Sequence, residues 1–88
     1  VEFNVKIIMS IIMYSKNGCP WCNEVRDFLM GKDVSFEERE VRESEENYQE
    51  LLEKSGQDKT PTFDIEGEIF PDSDVNELKD ILKGKGVI

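Results

Sequence analysis

The chain contains no histidine. That excludes a protease-type cysteine–histidine pair. Cysteine is scarce too, with two in the whole sequence, Cys19 and Cys22. A zinc ribbon needs four ligands, and there is neither a second cysteine pair nor a histidine to supply them. Two cysteines are also too few for the disulfide scaffold of a small secreted domain. Positive charge is short: 11 Lys and Arg stand against 20 Asp and Glu, a formal charge of −9. Such a balance argues against nucleic-acid or anionic-membrane partners, which attract Lys and Arg. No apolar run reaches the roughly 18 residues of a membrane span. There are no repeats and no low-complexity tract.

What is there suits one soluble domain. The length is 88 residues, with 38% hydrophobic and 35% charged residues, which allows a single modest core. The apolar stretch from Ile7 to Met13 lacks the strongly basic start and small-residue cleavage site of a signal peptide. It is read as a buried strand. Residues 1–8 are read as an extension or tag, with Met9 a natural beginning, and the expected address is the cytoplasm.

The hydrophobic pattern gives the order β-α-β-α-β-β-α, an α/β fold. Ile7 to Tyr14 is nearly all apolar and β-branched, as in a central strand covered on both faces. After the Lys16-Asn17-Gly18 turn, Pro20 fits a first helical position. A helix follows from Trp21 to Met30 with Val25, Phe28 and Leu29 inward and Gly31 closing it. Val34 to Val41 is expected as a second strand. Ser44 caps a second helix whose stripe is Tyr48, Leu51 and Leu52, and Gly56 ends it. Thr62 to Glu66 and Glu68 to Phe70 form a hairpin around Gly67. A last helix starts at Asp74, in a capping-box pattern with Glu77 and with Ser73 as the alternative cap. Its face is Leu78, Ile81 and Leu82, and it stops near Gly84. The first β-α-β unit should be parallel, and the hairpin antiparallel.

This order carries Cys19-Pro20-Trp21-Cys22 from a strand end into a helix N-terminus. Closing so short a loop stabilises little, so the pair points to chemistry rather than stapling. A thiol reacts as its thiolate, and an ordinary cysteine is mostly protonated at neutral pH. Cys19 at the cap faces unpaired N–H groups and the positive helix end, and Lys16 adds a cation; both are expected to lower its pKa. Cys22, one turn on, should be more buried and less acidic. An attacking and a resolving thiol are the minimum for exchange through a mixed disulfide. A rival of another class is a dimer holding an iron–sulfur cluster through one Cys19 per subunit, although Pro20 stiffens the loop against it. Trp21 offers either a contact surface or an incidental exposed ring.

Thr60-Pro61-Thr62 enters the third strand, which should begin beside the cysteine helix. A cis Thr60–Pro61 bond is expected there, turning the Thr60 backbone toward an extended substrate.

From about Met9 to Leu82 the chain resembles a glutaredoxin, a small member of the thioredoxin superfamily. "YSKNGCPWC" is similar to the family's strand end, basic residue and active site. "SGQDKTPTFDIEGEIF" is similar to its Gly-Gln, cis-proline and hairpin segment, and "PDSDVNEL" to the start of its last helix. The resemblance implies a thioredoxin-like fold, a four-stranded mixed sheet flanked by helices, and a dithiol-disulfide oxidoreductase. It makes Cys19 the nucleophile and Cys22 the resolving thiol. Lys16 and Gln57 match residues that meet the glycine carboxylate of glutathione. Thr60, before Pro61, matches the residue whose backbone pairs with the glutathione cysteine. Ser73 and Asp74 match the helix start that holds the γ-glutamyl end. It further implies a monomer with no bound cofactor or metal, acting on glutathione mixed disulfides or disulfide-containing proteins, with glutathione as cosubstrate.

Two positions depart from the family pattern. Lys59-Thr60-Pro61 replaces Thr-Val-Pro, a small change where only the backbone is used. Phe70-Pro71 is read in place of a Gly-Gly pair that leaves open space at the glutathione site, so the pair is expected to narrow it. The glutaredoxin-like thioredoxins that supply ribonucleotide reductase also lack Gly-Gly and take electrons from thioredoxin reductase. That enzyme is the alternative donor.

Overall fold

A computed structural model describes residues 9–88. The elements are β1 (Ile11–Ser15), α1 (Pro20–Gly31), β2 (Glu37–Glu40), α2 (Glu45–Ser55), β3 (Thr62–Ile65), β4 (Glu68–Phe70) and α3 (Val75–Gly84). The four strands form one mixed sheet in the order β2-β1-β3-β4. β1 runs parallel to β2, with Ser15 opposite Glu40. It runs antiparallel to β3, with Tyr14 opposite Thr62. β3 and β4 are antiparallel, with Phe63 opposite Phe70. The C-terminal ends of β1, β2 and β4 and the start of β3 therefore lie along one edge of the sheet.

The apolar character of β1 follows from burial on both faces. Successive side chains of a strand point to opposite sides. Ile11 and Met13 join Val25, Leu29, Phe63, Ile65, Leu78 and Leu82 in the larger core, between the sheet and α1 and α3. Tyr14 joins Val41 and Leu51 of the smaller core under α2, with Ile12 and Tyr48 packed against it. The second face also carries polar ties. The Tyr14 hydroxyl donates to Glu50 at 2.7 Å, and Lys54 pairs with Asp64 at 2.7 Å. Lys54 also lies 5.4 Å from the centre of the Tyr14 ring.

Local signals placed most of the boundaries. The Ser44 hydroxyl accepts from the Asn47 amide at 3.2 Å, and Gly56 ends α2 in the left-handed region at φ 69°. The hairpin turn is Glu66-Gly67, at φ 53° and 87°. Two positive φ values mark the type I′ geometry that suits strand twist.

Some expectations need correcting. The second strand is only Glu37–Glu40. Val34 and Phe36 pack against the core before it begins, and Val41 is buried after it ends. β2 is an edge strand, so charged side chains stand where a buried strand would alternate. Gly31 does not close α1 by a left-handed turn; it is the last helical residue, and Asp33 takes φ 57° instead. Aspartate tolerates that region better than most side chains. Phe28 is half-buried at the margin of the core rather than fully inward. The cap of the last helix is Asp74, as expected, its carboxylate accepting from the Glu77 amide at 2.9 Å, and the alternative, Ser73, is not used. β1 begins at Ile11, so Met9 and Ser10, expected in the first strand, precede it, while Ile7 and Ile8 and the extension at 1–8 lie outside the described residues.

Candidate active site

The loop after β1 tightens through the Cys19 amide, which donates to the Lys16 carbonyl at 3.2 Å, with Gly18 at φ 80° between them. Cys19 is the N-cap of α1 and Pro20 its first residue. The capping acceptor is sulfur: the Cys22 amide donates to Cys19 Sγ at 3.3 Å. Asn17 ties this loop to the end of β2 and the segment after it, its amide donating to Glu40 at 2.6 Å and its side chain to Glu43 at 2.9 Å.

The two thiols differ sharply. Cys22 is fully buried, and burial with its contact to Cys19 pushes its pKa up to about 11. Cys19 is half-exposed. Burial pushes its thiol up as well. The Cys22 thiol and amide, the Thr60 hydroxyl and the Trp21 amide outweigh that, and the Cys19 pKa falls below its ordinary value. The lowering comes from hydrogen bonds of the kind a helix start offers a thiolate. The charge of Lys16, expected to contribute, is not among the leading causes.

Thr60–Pro61 is cis, as expected. It stands across from the cysteines, with the Thr60 carbonyl 4.0 Å and the Thr60 hydroxyl 3.8 Å from Cys19 Sγ. A cleft of about 620 Å³ opens between them. Lys16, Cys19, Trp21, Thr60, Pro61 and Asp74 line it. Trp21 is 60% exposed at its rim.

Gln57 and Ser73 are not brought to that lining. The Gln57 side chain is spent inside its own loop: it donates to Ser55 at 2.7 Å and Thr62 at 3.1 Å, and accepts from the Lys59 amide at 2.6 Å. Ser73 is buried, its hydroxyl on the Phe70 and Pro71 carbonyls at 3.4 Å each, while its amide donates to the Pro61 carbonyl at 2.9 Å. Phe70 ends β4 and packs into the core, so it does not narrow the cleft. Pro71 and Asp72 make the turn, with Asp72 at φ 50° and in the lining.

Arg42, Asp72 and Glu77 are cleft residues that the sequence reading missed, and Lys59 joins them. Their arrangement follows the strand order. Arg42 follows β2, Lys16 follows β1 and Lys59 precedes β3; Asp72 and Asp74 follow β4, and Glu77 is in the first turn of α3. By strand order, the cations of the cleft come from the β2, β1 and β3 side and its acids from the segment after β4 and from α3.

A cysteine pair at a helix start facing a cis-proline is a disulfide-exchange site. The glutaredoxin family model matches residues 11–70, which include both cysteines and Pro61. The chain belongs to the glutaredoxin family. It is accordingly a thiol-disulfide oxidoreductase with Cys19 and Cys22 as its redox pair. It is 26% identical to an uncharacterized glutaredoxin-like 8.6 kDa protein of the rubredoxin operon in Clostridium pasteurianum, over 83% of this chain and 97% of that one. It is 33% identical to the N-acetyl-S-hydroxy-L-cysteine reductase of Bacillus subtilis, over 66% of this chain and 62% of that protein. Rickettsia bellii Glutaredoxin 1 is 37% identical, but over only 52% of its length and 58% of this chain. Among solved structures, the thioredoxin-like protein BC3987 superposes with a TM-score of 0.74 at 30% identity, covering 82% of this chain and 99% of that one. The sheet and helix order are shared with that structure.

Proposed function

We propose that the protein reduces protein disulfides and glutathione mixed disulfides, with glutathione as the electron donor. The observation that carries this is the division of charge in the cleft. Glutathione has two carboxylates and one ammonium group on an extended tripeptide, with its thiol in the middle. Lys16, Arg42 and Lys59 suit the glycine carboxylate at one end. Asp72, Asp74 and Glu77 suit the ammonium at the other, and the exposed N–H groups at the start of α3 suit the second carboxylate. Cys19 lines the same cleft. In the cycle, the Cys19 thiolate attacks the substrate disulfide. The mixed disulfide is then released either by a second glutathione thiolate or by Cys22, which must first lose its proton. A working dithiol of this kind suits a reducing compartment such as the cytoplasm.

A second reading, in which thioredoxin reductase supplies the electrons, is favoured by the 30% identity to a solved thioredoxin-like protein across almost all of that chain. Steady-state turnover separates the two. Glutathione with its reductase should support reduction of a glutathionylated peptide. Turnover with thioredoxin reductase and NADPH alone would overturn the glutathione assignment.

A further inference from the structure

We propose that the Thr60 side-chain hydroxyl is a catalytic hydrogen-bond donor to Cys19, holding its sulfur as the attacking thiolate. Thr60 is buried two residues before β3, and its hydroxyl donates to Cys19 Sγ at 3.8 Å. Among the described residues that sulfur is its one hydrogen-bond acceptor. A buried hydroxyl aimed at a reacting atom with no competing acceptor is worth most when that atom carries charge. The Thr60 carbonyl lies on the same sulfur, 4.0 Å away, as an acceptor for the protonated thiol. One residue therefore meets both states: carbonyl for the thiol, hydroxyl for the thiolate. A valine here would keep the shape and the backbone contacts but remove the donor.

In the attack step, the Cys19–sulfur bond forms as the substrate S–S bond breaks. The departing sulfur leaves with the electron pair as a thiolate and takes its proton from water. Cys19 is oxidised into the mixed disulfide and the departing sulfur is reduced. Thr60 keeps its proton throughout and gives only a hydrogen bond. When a second thiol later displaces Cys19, the same bond stabilises Cys19 as the leaving thiolate.

The proposal rests on Cys19 being the nucleophile and not on the identity of the electron donor. The test is the pH profile of iodoacetamide alkylation of the reduced protein, with the modified cysteine mapped by mass spectrometry. Wild type, Thr60→Val and Thr60→Ser are compared. Thr60→Val should raise the Cys19 midpoint by about 0.5–1 pH unit, leaving about 3–10-fold less thiolate at a fixed pH below it. Thr60→Ser, which keeps the hydroxyl, should stay near the wild-type midpoint. Coincident profiles for wild type and Thr60→Val would overturn the proposal, as would a serine variant shifted as far as the valine one. Alkylation mapping first to Cys22 would instead overturn the nucleophile assignment beneath it.

Discussion

The Cys22 amide hydrogen bond to Cys19 Sγ, 3.3 Å long, makes the two thiols unequal. The same residue that stabilises a thiolate at Cys19 hides its own sulfur in the core at 0% exposure. One thiol is half-exposed and favoured as the thiolate, and the other is buried and held protonated.

Alkylation of the reduced protein should show this directly. Cys19 should react with a midpoint below that of an ordinary thiol, and Cys22 should resist until about pH 11. Cys19→Ser should lose disulfide reduction by several orders of magnitude near neutral pH, because the remaining thiol is protonated and covered. Mass mapping across a pH series reads both sites at once.

The raised Cys22 pKa also makes stability depend on pH. As pH rises, the unfolded chain releases this proton first, while the folded protein keeps it until about 11. In that interval the unfolded state binds fewer protons, so stability falls with increasing pH. The reduced protein should lose on the order of 2 kcal/mol between about pH 8.5 and 11 by this route. The Cys19–Cys22 disulfide form should lack that component, which urea denaturation of the two forms compares.

Asp74 has two separable duties. Its carboxylate caps α3 and its charge faces the cleft. Asp74→Ala should cost about 1 kcal/mol of stability through the lost cap. Asp74→Asn keeps a capping oxygen and should retain most of that stability, yet raise the KM for glutathione by removing the charge. Equal KM values for the asparagine variant and wild type would leave Asp74 a structural role only.

At the opposite end of the cleft, Arg42→Ala should raise the KM for glutathione about fivefold, the loss of roughly 1 kcal/mol of ion pairing, with kcat little changed. The effect should shrink at high salt. Lys85, paired with Glu68 at 2.9 Å and outside the cleft lining, is the control: Lys85→Ala should leave KM unmoved.

Much of this was legible in the sequence where short-range chemistry decides. Ser44 and Gly56 bracket α2 because a cap and a left-handed terminator are local requirements. Cys19 and Cys22 are placed by a strand end, a turn and a proline. The second strand was overextended because its length is set by pairing with β1, not by its own side chains. Phe70 was expected to narrow the cleft, but whether the last residue of a hairpin strand faces the core or the cleft is set by the packing of the sheet against its helices. Gln57 and Ser73 could have faced either way, since the type of a polar side chain does not say whether its own backbone will claim it. Arg42, Asp72 and Glu77 became visible as cleft residues once the strand order put four element ends on one edge. Thr60 was read for its backbone, while the direction of its hydroxyl depends on the approach of β3 to α1.

The central claim is that Cys19 alone carries glutathione-dependent reduction, with Cys22 needed only to resolve protein mixed disulfides. The most direct measurement is deglutathionylation of a glutathionylated peptide by Cys22→Ser, with glutathione and its reductase as the sole electron source. Sustained turnover within about tenfold of wild type is the predicted result. A Cys22→Ser variant that is inactive and accumulates covalently trapped substrate would contradict it.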